Sequence, residues 1–171
     1  MHIAILSDIH DHTHNLLVAL LRAEELGCTH LLYTGDMAGL TTFRTMREEW
    51  EHGIDLVFGN NEYDRLSFLR LAEQFHHTCH HGDTADIPLD GRRIFLTHYP
   101  HIAEQAAQRG CYDAVFYGHT HYAEQHYCGN TLVANPGEIA GKLNLFIKEI
   151  FGNVCICISL KNAVGNHGTF S

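Results

Sequence analysis

The sequence lacks any long hydrophobic run and any excess of basic residues. No stretch approaches the roughly 18 apolar residues that a membrane-spanning helix requires, and the opening "MHIAILSD" ends too soon to be a signal peptide. The 11 lysines and arginines are outnumbered by 20 acidic residues, and the net charge of -9 argues against a nucleic-acid-binding protein. We therefore expect a cytoplasmic protein that binds neither membrane nor nucleic acid.

The sequence also has no C-x-x-C pair among its six cysteines. Three of them lie in or beside apolar runs, as in "VCICISL" near the end. This pattern predicts reduced, buried, structural cysteines rather than a disulfide framework.

Length and composition bound the architecture. The chain has 171 residues, of which 45% are hydrophobic and 18% are charged, and this is enough for one domain with a substantial core. Neither an internal repeat nor a low-complexity linker interrupts it. We expect a single domain over residues 1–171.

Hydrophobic patterning changes along the chain. The first half alternates short apolar runs with helical stripes, which is typical of βαβ units with parallel strands. Strands are predicted at 2–7, 30–34 and 54–58, and helices at 16–26, 41–52 and 63–77. The second half predicts hairpins that turn at Asp90-Gly91, Gly129-Asn130 and Gly152-Asn153, and a helix at 101–109. The predicted fold is α/β, a four-layer α-β-β-α sandwich in which helices flank two mixed β-sheets.

Five of the apolar runs end at a nitrogen or oxygen donor. The runs "HIAILSDIH", "HLLYTGD", "IDLVFGN", "RIFLTH" and "AVFYGHTH" lead to Asp8 and His10, Asp36, Asn60, His98, and His119 and His121. If extended backbone continues past Gly118, both histidines of the last motif point to one side. Each donor alone also has an ordinary explanation as a cap or turn residue. Because parallel strands deliver their carboxyl ends to a common edge, the set together predicts a metal site.

The ordered set D-x-H, G-D, G-N-N-E, T-H and G-H-T-H resembles the calcineurin-like metallophosphoesterases over roughly residues 1–138. The short chain, "SDIH" at residue 7 and "NPGE" at 135–138 make it most similar to their small stand-alone bacterial and archaeal phosphodiesterases. The resemblance implies that a metal-bridging hydroxide attacks the phosphate ester, with Asp36, Asn60, His98 and His119 as catalytic residues. It also implies one ion on Asp8, His10 and His121, a second on Asn60, His98 and His119, and Asp36 as the bridge.

Ligand chemistry narrows the choice of metal. Mixed nitrogen and oxygen ligation without thiolate suits Mn, Fe, Ni, Co or Zn, and the resemblance favours two manganese ions. The expected substrate is a small phosphate ester. Since small members of the family are often dimers, we also expect a homodimer or higher homo-oligomer.

The chain departs from the family pattern at several positions. Asn61 stands where many members carry a histidine proposed to protonate the leaving alkoxide, and an amide cannot act as an acid near neutral pH. This predicts a preference for good leaving groups such as aryl phosphate esters. After His98, the usual glycine and histidine are replaced by Tyr99 and Pro100, and a histidine follows one position later at 101. Glu62 and Glu138 replace a common aspartate and a common serine.

Other histidines leave alternatives open. His12 and His14 could begin a helix, with Thr13 or Asp11 as its cap, or could contact substrate. The segment "HHTCHHGD", residues 76–83, could form an extra metal site or a solvated loop, and we expect the loop because its spacing matches no known zinc pattern.

Two rival functions remain open. A non-catalytic protein-interaction scaffold of this fold occurs in membrane-trafficking complexes, but such a branch would be expected to lose ligands, and this sequence keeps every one. A nuclease would normally need a basic groove or an added capping domain, and neither is found here.

Overall fold

The computed structural model describes residues 1–140, 144–150 and 153–159. Its strands are β1 (His2–Leu6), β2 (Cys28–Tyr33), β3 (Gly53–Leu56), β4 (Thr78–His80), β5 (Thr84–Leu89), β6 (Arg92–Thr97), β7 (Ala114–Phe116), β8 (Glu124–Cys128), β9 (Thr131–Asn135), β10 (Asn144–Ile150) and β11 (Asn153–Ser159). Its helices are α1 (Thr13–Glu25), α2 (Leu40–Glu49), α3 (Arg65–Ala72) and α4 (Pro100–Ala107).

The strands form two mixed sheets. The first sheet has the order β10-β11-β1-β2-β3-β4, and all its neighbouring strands are parallel except β10 and β11. The second has the order β5-β6-β7-β9-β8, with β6, β7 and β9 parallel and the two outer strands antiparallel to their neighbours. The three predicted hairpins are all present as antiparallel pairs, although the turn residue Gly152 lies outside the described residues.

Three apolar clusters define the layers. One lies between the outer face of the first sheet and helices α1 to α3 and includes Leu16, Phe43 and Trp50. A second lies between the two sheets, and a third packs α4 against the outer face of the second sheet. The predicted four-layer α-β-β-α sandwich is therefore confirmed.

Helical periodicity located helices α1 and α2. Leu16, Ala19, Leu20 and Ala23 form the buried stripe of α1, as their spacing predicts. On α2, Phe43 and Met46 are fully buried, and Trp50 at its C-cap is buried beside them. These side chains cover one face of the first sheet.

The prediction for residues 63–83 was wrong in part. Helix α3 starts later than predicted because Asp64 caps it, accepting a hydrogen bond from the Ser67 backbone N–H. It ends at Ala72, and the segment predicted as a solvated loop contains strand β4, which pairs in parallel with β3. A three-residue strand with the sequence Thr-Cys-His carries too weak an apolar pattern to be found by periodicity.

The prediction that the cysteines are buried was also wrong in part. Cys28 is buried, whereas Cys79 and Cys111 are exposed, and the four described cysteines are free thiols. The side chains of Cys155 and Cys157 lie outside the described residues. Within the described part of the chain, no helix is long and apolar enough to cross a membrane.

Candidate metal centre

The seven predicted donors follow strand ends on both sheets. Asp8 and His10 follow β1, Asp36 follows β2, and Asn60 follows β3, all on the first sheet. His98 follows β6, and His119 and His121 follow β7, on the second sheet. The structure brings all seven together where the carboxyl ends of the two sheets meet, as expected for parallel strands.

Three donors gather on one side of this region. The amide oxygen of Asn60 lies 2.9 Å from His119 Nδ1 and 3.1 Å from His98 Nε2, and these two ring nitrogens are 3.2 Å apart. His98 is fully buried, whereas His119 is exposed. The three atoms are therefore close enough to share one ion, on a side that solvent can reach.

Three more donors gather on the other side. His10 Nε2 and His121 Nε2 are 3.3 Å apart, and they lie 3.7 Å and 3.4 Å from Asp8 Oδ1. Asp8, His10 and His121 thus form a second group with room for one ion.

Asp36 lies between the two groups. Its Oδ2 is 3.6 Å from His10 Nε2, and its Oδ1 is 3.4 Å from His98 Nε2. The carboxylate is almost fully buried and also accepts hydrogen bonds from the backbone N–H groups of Asn60 and Asn61 and from the Asn61 side chain. One carboxylate therefore contacts a member of each group.

Five of the seven donors have left-handed backbone. Asp8, His10, Asp36, His119 and His121 have φ between 45° and 71°, a conformation that costs a non-glycine residue roughly 1–2 kcal/mol. The strand geometry predicted past Gly118 is therefore wrong. Strand β7 ends at Phe116, and His119 and His121 turn into different groups because both are left-handed. Such strain concentrates at functional sites, where surrounding contacts hold it.

Glycines beside the donors permit the close approach. A Cβ at Gly59 would collide with Asp36 Oδ1, and a Cβ at Gly118 would collide with Ser7 Oγ and lie 2.6 Å from Asp8 Oδ2. The two positions therefore admit the carboxylates only because they lack a side chain. This explains physically why "GN" and "GH" follow their strands.

The surroundings of the two Asp8 carboxylate oxygens indicate whether a cation fits the site. Asp8 Oδ2 accepts hydrogen bonds from Ser7 Oγ at 2.5 Å and from the His119 backbone N–H at 3.1 Å. Asp8 Oδ1 is equally buried but has no hydrogen-bond partner. Since an unsatisfied buried carboxylate oxygen is costly, and this one faces two imidazole nitrogens, the residues present fit a divalent cation.

The electrostatics of the metal-free site are dominated by its carboxylates. Burial alone would raise the pKa of Asp36, but His98 and the Asn61 donors outweigh it, so this pKa lies well below its usual range. Asp8 raises the pKa of His10 more than burial lowers it. For His98, burial lowers the pKa, but Asp36 and Asp8 raise it by more. The region therefore favours added positive charge.

Residues behind the donors fix their orientation. His98 Nδ1 donates to the Thr34 carbonyl oxygen at 2.9 Å, which leaves Nε2 free of its proton and directed at the site. His121 Nδ1 lies 2.5 Å from Glu138 Oε2 and is held in the same way. Sequence reasoning singled out Glu138 only as a replacement for serine, and a carboxylate three residues after a strand gives no local signal of a histidine partner.

Glu62 links the two loops that carry Asp36 and Asn60. Its carboxylate, which is buried, accepts from the Met37 backbone N–H at 2.5 Å and from the Gly59 backbone N–H at 2.7 Å. These amides adjoin Asp36 and Asn60 in sequence. Glu62 therefore ties together the loops after β2 and β3.

The remaining histidines have more ordinary surroundings. His12 occupies the N-cap position of α1, but no side chain caps that helix. Asp11 instead binds the Gly39 backbone N–H and the Thr42 hydroxyl at the start of α2. His14 and His101 are exposed, and His101 contacts the Tyr99 ring, which itself packs beside His98 and His119. Tyr99 thus borders the site where the resemblance expects a glycine.

Comparison with known proteins decides the family. A model of the calcineurin-like phosphoesterase superfamily domain matches residues 1–153. The chain belongs to this superfamily. It is 30% identical to "Phosphodiesterase MJ0936" of Methanocaldococcus jannaschii over 145 residues, which are 84% of this chain and 87% of the relative.

Solved structures agree with this assignment. An archaeal phosphodiesterase superposes with a TM-score of 0.73 and 29% identity, covering 80% of this chain and 83% of its own. A Vps29 variant of Entamoeba histolytica superposes with a TM-score of 0.61 at 18% identity, covering 90% and 96%, and this likeness concerns the fold alone. As a calcineurin-like phosphoesterase, the chain is a hydrolase acting on phosphate esters, and the family implies divalent metal ions. The predicted enzyme class is confirmed.

Proposed function

We propose that this phosphoesterase is a phosphodiesterase that binds two divalent ions, with Asp36 shared between them. One ion would be held by Asp8, His10 and His121, and the other by Asn60, His98 and His119. The observation that carries the proposal is the convergence of seven donors in two groups around Asp36, with one buried Asp8 oxygen lacking a hydrogen-bond partner. The activity named for the archaeal relative supports a diester substrate.

The donor set supports a first-row transition metal. It contains imidazole nitrogens and carboxylate and amide oxygens but no sulfur, which suits Mn, Fe, Ni, Co or Zn. Manganese is our first choice because the family resemblance favours it. When bound, such ions would neutralise phosphate charge, activate a water molecule and stabilise the leaving oxygen.

The residues of the chain would perform distinct tasks. The two carboxylates of Asp8 and Asp36 offset only half of the charge of two divalent ions, so the loaded site would attract an anionic phosphate ester. His98 is buried and fixed by Thr34, which suits a positioning ligand. His119 is exposed beside the Tyr99 ring, on the side from which a substrate could enter. We assign Asp36, Asn60, His98 and His119 as the residues on which turnover depends.

The substrate is proposed to be a small phosphate ester. The acidic chain offers little counter-charge for a polynucleotide backbone, which argues against the nuclease alternative. The scaffold alternative rests on fold likeness to Vps29, and the full donor set argues against it. A cytoplasmic location and a homodimer or higher homo-oligomer remain predictions.

Hydrolysis by metal-stripped protein tests the proposal. Bis-p-nitrophenyl phosphate and p-nitrophenyl phosphate would be compared after Mn, Ni, Zn or Mg is added back singly, with bound metal counted in parallel. His119→Ala is the test variant. The matched control is His126→Ala, which removes an exposed histidine of β8 that pairs with Glu104.

We expect metal-dependent release from the diester, with about two ions per chain, that His119→Ala abolishes and His126→Ala leaves unchanged. Faster release from the monoester would overturn the diester assignment but not the enzyme. A folded protein that binds no ions would overturn the proposal in favour of the scaffold.

A further inference from the structure

Four potential metal ligands cluster away from the candidate centre, along the edge of the first sheet. The β2–β4 cluster consists of His30 on β2, Asp55 on β3, Cys79 on β4, and His81 directly after β4. Strand register explains why they meet, because Asp55 pairs directly with Cys79 and the residue two after Cys79 points to the same side. Ile54 and Leu56 point the other way into the core beneath the helices. The cluster therefore lies on the face that looks toward the second sheet.

The contacts within the cluster are short. Asp55 Oδ1 lies 2.5 Å from His81 Nε2, and Asp55 Oδ2 lies 2.7 Å from His30 Nε2. One ligand atom each of Asp55, Cys79 and His81 lie within 4.8 Å of one another. The Asp55 side chain is only 14% exposed, whereas Cys79 is exposed at the edge strand. A cation could thus reach the cluster from the Cys79 side.

Gly53 makes room for the histidine on β2. A Cβ at Gly53 would lie 2.5 Å from His30 Nδ1 and 2.7 Å from His30 Cε1, so a side chain at this position would displace the imidazole. The imidazole therefore lies directly over the backbone of β3, where it reaches Asp55. This contact holds the carboxylate through Oδ2 and leaves Oδ1 directed at His81 and Cys79.

We infer that the β2–β4 cluster is a second metal site, selective for Zn²⁺, in which Asp55, Cys79 and His81 are the ligands and His30 orients Asp55. A thiolate, an imidazole and a carboxylate together suit zinc. The candidate centre, which has no sulfur ligand, suits manganese at least as well as it suits zinc. A ligating carboxylate is usually held by a hydrogen bond from a residue outside the metal site, as His30 holds Asp55. Three protein ligands leave a fourth position for water at the exposed edge.

The geometry needs only small adjustments. In tetrahedral zinc sites the ligand atoms are about 2.0–2.3 Å from the ion, so neighbouring ligand atoms are roughly 3.3–3.7 Å apart. The contact between His81 Nε2 and Asp55 Oδ1 would open by about 1 Å. The Cys79 sulfur, which lies within 4.8 Å of a ligand atom of each of these residues, would approach by at most about 1 Å. Rotation about side-chain bonds on adjacent strands can supply both movements.

In the absence of metal, the Asp55 side chain is ionised, whereas the Cys79 side chain keeps its proton. Burial alone would raise the pKa of Asp55, but hydrogen bonds from His30 and His81 outweigh it and lower the pKa to about 2. Partial burial and the Asp55 charge raise the pKa of the Cys79 thiol. Zinc binding would therefore replace the thiol proton, forming the S–Zn bond and releasing H⁺ to solvent.

A hydrogen-bonded network without metal is the competing interpretation. In that interpretation His30 and His81 supply the hydrogen bonds of the Asp55 carboxylate, and the Cys79 thiol has no role. The two interpretations therefore differ in whether Cys79 takes part, and Cys79 is the residue to test.

Cobalt absorption distinguishes the interpretations independently of phosphoesterase activity. Co²⁺ added to the metal-stripped chain gives a thiolate-to-cobalt charge-transfer band only where sulfur is a ligand, and the seven donors of the candidate centre include none. The test variant is Cys79→Ser, and the matched control is Cys111→Ser, which also replaces an exposed free thiol. Alkylation of wild-type Cys79 and Cys111 by iodoacetamide, with and without Zn²⁺, provides a second measurement that needs no variant.

We expect a charge-transfer band with the intensity of one thiolate-bound cobalt per chain, which Zn²⁺ removes, Cys79→Ser abolishes and Cys111→Ser retains. His119→Ala should retain it too, which separates this site from the proposed catalytic one. Zn²⁺ should slow Cys79 alkylation at least tenfold and leave Cys111 unchanged. A missing band in wild type, a band that survives Cys79→Ser, or unprotected Cys79 would overturn the inference.

Discussion

Replacing Asp8 by asparagine should separate a metal ligand from a structural residue. Asp8 is fully buried, its Oδ2 accepts two hydrogen bonds, and its Oδ1 has no partner. An asparagine can keep its carbonyl oxygen at the Oδ2 position and place its NH₂ where Oδ1 was, facing His10 and His121. Because the change removes a buried charge without leaving an acceptor unpaired, the metal-free protein should lose no stability and could gain about 1 kcal/mol.

Metal binding should respond in the opposite direction. For a single site, a metal concentration 100 times the dissociation constant stabilises the folded chain by about 2.7 kcal/mol. In a domain of this size that raises the melting temperature by roughly 5–11 °C. An amide nitrogen cannot ligate, and if the affinity falls 100-fold the stabilisation at the same metal concentration is about 0.4 kcal/mol, or a shift of roughly 1–2 °C.

Thermal unfolding provides the assay. Trp50 is the single tryptophan and is fully buried, so its fluorescence reports unfolding with and without added manganese. Asp86→Asn, which alters an exposed carboxylate paired with Arg93, serves as the control and should retain the full metal-induced shift. If Asp8→Asn melts several degrees below wild type without metal yet keeps the metal-induced shift, Asp8 is structural and the ligand assignment is wrong.

Substitutions at three further positions test other parts of the molecule. Glu138→Ala removes the acceptor of His121 Nδ1 and should weaken metal binding about 10–100-fold in a titration, whereas Glu138→Gln retains an oxygen and should weaken it less. Asn61→His supplies an acid near the site and should speed alkyl ester hydrolysis at least tenfold relative to aryl esters; equal gains for both would refute a role for position 61 in protonation. Burial raises the pKa of Cys28 to about 11, so folding opposes its ionisation and the free energy of unfolding should fall by about 2 kcal/mol as pH rises from 9 to 11. Urea unfolding should show a smaller loss over this range in Cys28→Ala, and an identical loss would contradict the stated cause.

Local patterns were sufficient for much of the fold. The buried stripe of α1 and the turn signals at Asp90-Gly91 and Gly129-Asn130 are properties of short segments, and periodicity or turn chemistry reveals them. Strand β4 was missed because its partners are distant in sequence and its own three residues carry no apolar alternation. Tertiary pairing, rather than propensity, makes that segment a strand.

The sequence was enough to predict which residues meet in the candidate centre, but not the backbone conformation and contacts that bring them together. The positions of the donors at strand ends, and their order along the chain, were enough to predict that seven donors meet. The left-handed backbone of His119 and His121 could not be inferred, because an extended chain would also place these two histidines close together. The supports from Thr34 and Glu138 likewise depend on contacts across 64 and 17 residues. Such partners become visible only once the sheets are assembled.

The two metal-ligand clusters illustrate one physical difference. Donors that follow strand ends sit on loops, where left-handed residues and adjacent glycines can aim them at a common point. In the β2–β4 cluster the pleat directs the side chains instead. Asp55 and Cys79 are paired residues of adjacent strands, and His81, directly after β4, continues the alternation onto the same face. The first arrangement leaves a signature at the ends of apolar runs, whereas the second requires knowledge of which strands pair. An extra site on the edge of a sheet is therefore the kind that sequence motifs overlook, and the cobalt and alkylation experiments address it directly.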